Sequence, residues 1–145
     1  MSYTQRFSEE WELLDTIYGV DVAAAAVNDS GTLLLANYIR TVIIIHPLDL
    51  NDALDVDIEQ ATTDGGALVT LDAGSKDITV AAADTAPSVI EIRNEQFTAG
   101  YEYINVEVTA ANTGGDDNYF VVEVWGKPVY KPCLLYTSPS PRDRS

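Results

Sequence analysis

The chain has 145 residues, and 23 Asp and Glu against 8 Lys and Arg give it a formal net charge of −15 at pH 7. Binding to phosphates requires clustered cations, and the cations here are scattered, so we expect no nucleic-acid partner. No apolar run approaches the roughly 20 residues of a membrane helix, and no basic start precedes an apolar stretch as in a signal peptide. The length predicts one domain around one core.

Residues 1–20 are interpreted as an N-terminal arm or short helix. Four apolar side chains recur at the spacing of one helix face: Phe7, Trp11, Leu14 and Tyr18. Ser8 followed by two glutamates resembles a helix start, whereas the alternation in "EWELL" is typical of an extended arm. In both cases aromatic side chains need cover, either from the parent domain or from another subunit. The interface candidates are Tyr3, Phe7 and Trp11.

Residues 21–132 carry the two-residue period of β-strands and are predicted to form a β-sandwich domain. In "ALDVDIEQA" the aliphatic side chains are predicted to point inward and the carboxylates outward. "SVIEIR" and "YINVEVTA" repeat the pattern. In "NYFVVEVWG" both faces are largely apolar, which predicts a strand covered on both sides. We expect one core to include Ile43, Ile58, Ile92, Val106 and Val122.

Segments rich in Gly, Asn, Asp and Pro separate the predicted strands, as turns do. "VAAAAV", residues 22–27, is too short for a stable isolated helix and is predicted to be a strand. "NTGGDDN" is predicted to close a hairpin between strands at about residues 101–110 and 118–126. About eight short strands in this arrangement favour an all-β fold, an antiparallel β-sandwich of the jelly-roll type.

The sequence shows no set of residues with catalytic spacing, and we expect neither an enzyme nor a cofactor. His46 is the only histidine, and a histidine without Cys or a second His has no metal-ligand spacing. Outward carboxylates such as Asp55 and Asp57 are interpreted as a solvated face, with paired-acid glycosidase chemistry as an open alternative. "GGDDN" and "DLNDALDVD" contain oxygen ligands that suit Ca²⁺, but they lack the spacing of a calcium-binding helix-loop-helix.

Residues 133–145 are interpreted as a non-native, unstructured tail. From Cys133 to Asp143 the chain is similar to a translation of the adapter used in transposase-based sequencing libraries. A genuine Ser-Pro linker is the alternative. Segments of this kind are excluded from fold reasoning, and the exclusion removes the only cysteine.

Residues 38–132 resemble small β-proteins encoded in the head-structure modules of tailed bacteriophages. The resemblance is carried by "ALDVDIEQATTDGGA", by the strand "YEYINVEVTA", and by a last strand that runs into Gly and "VYKP". The family implies a jelly-roll-like decoration, or cement, protein that binds the capsid surface non-covalently and stabilises the head shell. It also implies a virion location, and as partners the major capsid protein and further copies of the chain, in a trimer. No site residue is carried over.

A carbohydrate-binding or adhesion module of a phage tail or cell surface is the second hypothesis. Such modules share the sandwich architecture, and a fold alone does not decide function. They display exposed aromatic side chains, for which Tyr101, Tyr119 and Trp125 are the candidates. No membrane partner is expected in either case.

Overall fold

The structure, a computed structural model, describes residues 10–112 and 117–129. Within them it contains ten β-strands and two short 3₁₀ segments. The strands are β1 (Glu12–Val22), β2 (Val27–Asp29), β3 (Leu33–Leu34), β4 (Tyr38–Asp49), β5 (Leu54–Ala61), β6 (Val69–Thr70), β7 (Ile78–Val80), β8 (Ser88–Arg93), β9 (Tyr103–Ala110) and β10 (Asn118–Pro128). The 3₁₀ segments are Leu71–Gly74 and Asn94–Gln96. Neither segment is long and apolar enough to cross a membrane.

The strands form two antiparallel sheets with the strand order of a jelly roll. Sheet 1 has the order β1-β10-β4-β8, and sheet 2 has the order β2-β9-β5-β6. In sheet 2, β2 and β3 both pair with β9, and β6 and β7 both pair with β5, so each edge is one interrupted strand. The chain changes sheet six times, between β1 and β2, β3 and β4, β4 and β5, β7 and β8, β8 and β9, and β9 and β10. Eight strand positions in two such sheets confirm the predicted fold.

The core lies between the two sheets and is built by the predicted alternation. Leu54, Val56 and Ile58 are 0% exposed, whereas the intervening carboxylates are only half-buried. The five side chains predicted to share one core belong to a single buried cluster: Ile43, Ile58, Ile92, Val106 and Val122. The inward and outward faces of the long strands are therefore assigned correctly.

The N-terminal arm differs from the prediction, because residues Glu12–Val22 are strand β1 of the sandwich. They pair with β10 from Glu12↔Gly126 to Val22↔Asn118, so the boundary predicted at residue 20 falls inside a strand. Of the two alternatives left open for this segment, the helix through Leu14 and Tyr18 is wrong and the extended conformation is confirmed from Glu12 onward. A short isolated helix is marginal in water, whereas pairing with β10 satisfies the backbone of both strands.

Two further expectations are wrong because strand partners are set at long range. The chain turns at Ala23–Ala26, where Ala26 N donates to Ala23 O at 3.1 Å and Ala25 has a φ of 64°, so residues 22–27 are not one strand. The hairpin predicted between β9 and β10 does not form, because the two strands lie in different sheets. Local alternation identifies a strand but carries no information on its neighbour.

Candidate docking face

One outer surface of the sandwich carries several apolar side chains. We call the outward side chains of sheet 1 face 1, and those of sheet 2 face 2. The apolar residues of face 1 form three pairs in register, Tyr18 with Val121, Ile44 with Val89 and Val42 with Trp125, and Glu123, His46 and Glu91 lie between them. Tyr18 is 68% exposed and Val89 is 62% exposed, both at the margins of the face.

The middle of face 1 is only half-covered within this chain. Val121 and Trp125 on β10 and Val42 and Ile44 on β4 are of intermediate burial. The prediction that β10 is covered on both sides therefore holds for its inner side, while its outer side is shielded only in part. A run of aliphatic and aromatic side chains across neighbouring strands is the kind of surface that protein interfaces use.

One end of face 1 is basic. Lys127 on β10 pairs in register with Arg40 on β4, and Arg40 pairs with Arg93 on β8, so three cations form a row across adjacent strands. Among the residues that the structure describes, the only other Lys or Arg is Lys76. The sequence gives no direct sign of this row, because its members lie far apart along the chain.

The cations of the basic end are held by weak, exposed ion pairs. Arg40 contacts Glu91, and Lys127 Nζ lies 3.6 Å from Glu10 Oε1. Both pairs are about one-third exposed on each side, and such pairs contribute about 0–1 kcal/mol. The cations can therefore exchange these partners for carboxylates of another molecule.

The opposite end of face 1 is acidic. Asp21, Asp49 and Asp117 surround the side chain of Tyr119, and the charge of Asp21, more than burial, raises the pKa of that phenol. A hydrogen bond and the charge of Asp21 raise the pKa of Asp117. Like carboxylates this close favour a shared proton or a nearby cation.

Trp11, the one interface candidate that the structure describes, lies at the basic end. The guanidinium carbon of Arg40 is 5.7 Å from the centroid of the Trp11 ring, within cation–π range. The Trp11 side chain is half-buried. The other two candidates, Tyr3 and Phe7, lie outside the described residues, as do the residues of the predicted tail.

His46 occupies an outward position on β4, in the middle of face 1. Its Nε2 atom lies 3.1 Å from Glu123 Oε1 on the neighbouring strand. Within residues 10–112 and 117–129, no group of three or more His, Cys, Asp or Glu side chains could hold a metal ion. His46 therefore contacts a carboxylate of the neighbouring strand.

Face 2 is acidic along its length. Asp29, Glu107 and Asp57 pair in register across β2, β9 and β5. The pKa values of Asp57 and Glu107 are raised, mainly by burial and then by the charges of the neighbouring carboxylates. The outward position predicted for Asp55 and Asp57 is confirmed, and the two faces of the sandwich differ in both polarity and charge.

Asn118 is a buried structural position that the sequence pattern did not reveal. Its Nδ2 atom donates to Val22 O and Asp52 Oδ2 at 2.9 Å, and its Oδ1 atom accepts from the backbone N–H groups of Asn51 and Asp52 at 2.8 Å. The side chain is 0% exposed, so it ties three segments together under the acidic end of face 1. The segment "GGDDN" was predicted to be a turn. Its last residue, Asn118, forms these internal hydrogen bonds, and Gly114–Asp116 lie outside the described residues.

The aromatic candidates for sugar binding lie in separate places. Tyr101 lines a small cavity of about 170 Å³ with Phe97 and Asn94, below the range of about 300–1,000 Å³ typical of ligand pockets. Tyr119 lies at the acidic end of face 1, and Trp125 lies toward the basic end. The structure does not bring the three together into one aromatic platform.

Comparison with known proteins gives no family. No protein-family model matches the chain, and no curated protein matches it. Among solved structures, it is similar to the CBM36-1 domain of a multidomain xylanase from the hindgut metagenome of Trinervitermes trinervoides. That match has a TM-score of 0.37 and 14% identity, and it covers 79% of this chain and 78% of that domain.

Proposed function

We propose that this chain is a non-catalytic structural protein that decorates the capsid of a tailed phage and stabilises the head shell. The observation that supports the proposal is face 1, where apolar side chains are exposed or half-buried on the outside of the jelly roll. Apolar side chains in such numbers are stabilised when a protein surface excludes water from them. A decoration protein works in this way, by covering surface on itself and on the shell.

Binding to capsids tests the proposal. The proposal predicts a major capsid gene beside the gene of this chain, and the probe is an empty capsid assembled from the product of that gene. Co-sedimentation should saturate at a fixed ratio of chain to capsid protein, and it should resist moderate salt because apolar burial is insensitive to screening. An absence of saturable binding would contradict the proposal.

Two matched variants test whether face 1 is the surface that binds the capsid. Val121→Arg places a charge in the middle of face 1, and Val27→Arg places the same charge on an exposed edge of sheet 2, where Val27 is 53% exposed. We expect Val121→Arg to weaken capsid binding, because an unpaired charge is costly to bury in an apolar contact. Val27→Arg should bind like the unmodified chain, and equal loss in both variants would exclude face 1 as the assembly surface.

A carbohydrate-binding module is the second candidate function. Tyr18 is 68% exposed on face 1, and an exposed tyrosine ring presents an apolar surface with a polar hydroxyl. In this case Tyr18→Ala should reduce retention of the chain in gels that contain a polysaccharide, while binding to capsids stays absent. Polysaccharide retention without capsid binding would replace the first proposal by this one.

A further inference from the structure

We propose that a groove at one end of face 2 binds an arginine side chain of a partner protein. The groove has a volume of about 440 Å³, within the range of about 300–1,000 Å³ that is typical of ligand pockets. It lies on sheet 2, so the inference goes beyond the proposed contact of face 1 with the capsid and does not depend on it.

Two loops form the walls of the groove and are joined to each other by hydrogen bonds. Gly31 and Thr32, between β2 and β3, form one wall, and residues 64–66, between β5 and β6, form the other. Thr32 Oγ1 donates to Asp64 Oδ1 at 2.5 Å and accepts from the backbone N–H of Gly65 at 2.9 Å. The chain itself therefore holds the walls in place, and a ligand does not have to order them.

Asn105 on β9 lines the groove from the side of the sheet and is buried, with 1% of its surface exposed. Its Nδ2 atom donates to Glu59 Oε1 at 3.0 Å. An ionised carboxylate only accepts hydrogen bonds, so the amide nitrogen has to be the atom that points to Glu59. Among the described residues no donor bonds to the Oδ1 atom, which is therefore left for a donor within the groove.

The polar atoms that line the groove are mostly acceptors. Asp29 Oδ1 accepts from the backbone N–H of Gly31 at 3.2 Å, and Asp64 Oδ1 accepts from Thr32, so each carboxylate keeps a second oxygen for a ligand. With the Oδ1 atom of Asn105 they give three acceptor groups around one groove, and no described Lys or Arg lines it. A negatively charged groove of this kind fits a cation that carries several N–H donors.

The pattern of acceptors favours a guanidinium over other ligands. A guanidinium presents five N–H donors in a planar fork, whereas an ammonium is a compact point charge. Sugar-binding modules present exposed aromatic rings, and the described residues supply no aromatic side chain to this groove. A metal ion needs more converging ligands than the described residues bring together.

The surroundings of the groove add negative charge. Glu59 pairs in register with Asn105, and the outward position after Asn105 on β9 is Glu107, which pairs with Asp29. The pKa of Glu107 is raised, mainly by burial and then by neighbouring carboxylates that include Glu59 and Asp29. Carboxylates that repel one another are stabilised by a nearby cation, so a bound arginine would relieve this repulsion.

NMR titration of the full chain with short capped peptides tests the proposal, in about 0.1 M salt, where charges more than about 10 Å apart are largely screened. The probes are Ac-Gly-Arg-Gly-NH₂ and two versions of it, one with neutral citrulline and one with lysine in place of arginine. We expect the arginine peptide to shift the side-chain amide of Asn105 and the backbone N–H of Gly65 saturably. The Kd of the other two peptides should be higher by about tenfold or more, the loss of one hydrogen bond to a charged group.

Asp64→Asn and Asp84→Asn form a matched pair of variants. Both carboxylates are exposed and accept a hydrogen bond that an asparagine keeps, from Thr32 Oγ1 and from the backbone N–H of Ala81 respectively. Asp84 follows β7, which pairs with the first residues of β5, and the groove lies beside the second half of that strand. Asp64→Asn should raise the Kd of the arginine peptide about tenfold, whereas Asp84→Asn should leave it nearly unchanged.

The two-dimensional spectrum of each variant shows whether the fold is kept. The proposal is overturned if the arginine peptide leaves Asn105 and Gly65 unshifted, if the citrulline or lysine peptide binds as tightly, or if Asp64→Asn and Asp84→Asn weaken binding equally. No capsid is present in this experiment. Val121→Arg, which should lose capsid binding, should bind the arginine peptide like the unmodified chain, so the groove and the decoration function can fail separately.

Discussion

At the scale of single residues, Gly19 and Phe120 show how closely β1 approaches β10. The two residues pair in register, and a Cβ atom on Gly19 would overlap the ring of Phe120, which is 1% exposed. Gly19→Ala should lower the free energy of unfolding by about 1–3 kcal/mol, the usual cost of overpacking a core. Urea denaturation measures the change.

A double-mutant cycle identifies the cause of that loss. In the Phe120→Leu background the ring is absent, so Gly19→Ala should cost less than it does in the unmodified chain. Equal costs in both backgrounds would show that the methyl group does not meet the ring.

The buried amide of Asn118 gives a second prediction at this scale. All four of its hydrogen-bonding positions are used, two as donor and two as acceptor. Asn118→Asp removes both donors and places a carboxylate beside the buried Asp52, so it should destabilise the fold by at least about 1–3 kcal/mol. Thermal unfolding tests this, and a melting temperature equal to that of the unmodified chain would rule out the clamp.

The partners of Asn118 explain why the sequence could not predict its role. Val22 and Asp52 lie 96 and 66 residues away along the chain, and no local pattern links them. The same holds for the basic row, in which Arg40 meets Lys127 only through the register of β4 and β10. Such pairs become visible only when the strands are placed.

At the scale of elements, β5 tests the assignment of inward and outward positions. Ile58 is 0% exposed, and Ile58→Ala should cost about 2–5 kcal/mol of stability. Val27→Ala is the control, because that side chain is 53% exposed, and its cost should stay within about 0.5 kcal/mol. If both changes cost the same when measured by urea denaturation, the inner face of β5 is assigned wrongly.

The row of carboxylates on face 2 predicts a pH-dependent gain in stability from Asp57→Asn. Burial and then the charges of Asp77, Asp55 and Glu59 raise the folded-state pKa of Asp57 above its value in the unfolded chain. A raised carboxyl pKa makes the charged form destabilising, so the penalty is absent below the unfolded-state pKa and grows as the pH rises through the folded-state pKa.

At pH 7 the penalty is complete, and Asp57→Asn should stabilise the protein by about 0.2–1 kcal/mol, the usual size of one cross-strand side-chain interaction. At about pH 3, below the unfolded-state pKa of about 3.9, the gain should vanish. Melting temperatures at both pH values test this, and a gain of equal size at both would contradict an electrostatic cause.

Strand identity followed from sequence far better than strand partnership did. The alternation in "ALDVDIEQA" and "YINVEVTA" predicted β5 and β9, because inward and outward side chains differ in polarity. The alternation could not show that β10 pairs with β1 and β4 and not with β9, because strand pairing depends on how the strands of both sheets are arranged. In the segment Glu12–Val22 the helical spacing of a few apolar residues was coincidental, and pairing with β10 decided the structure.

At the scale of the whole molecule, the jelly roll separates two surfaces of different character. Face 2 is acidic, and outside the groove beside Asn105 we expect it to stay in contact with water. Face 1 carries apolar side chains beside His46 and Glu123, and the proposed contact with the capsid rests on this face. The fold class was predictable from the strand period and the turns, whereas the polarity of face 1 required the register of all four strands of sheet 1.

The two tryptophans of the chain allow one direct measurement of whether face 1 is covered. The chain contains two Trp; Trp125 lies on face 1, and Trp11 lies against Arg40 at its basic end. Acrylamide quenching of their fluorescence therefore reports the access of small molecules to this face. We predict that quenching weakens when saturating empty capsid is added, after the signal of the capsid alone is subtracted, and that the Val121→Arg variant keeps strong quenching with and without capsid. Quenching that capsid leaves unchanged in the unmodified chain would contradict the account.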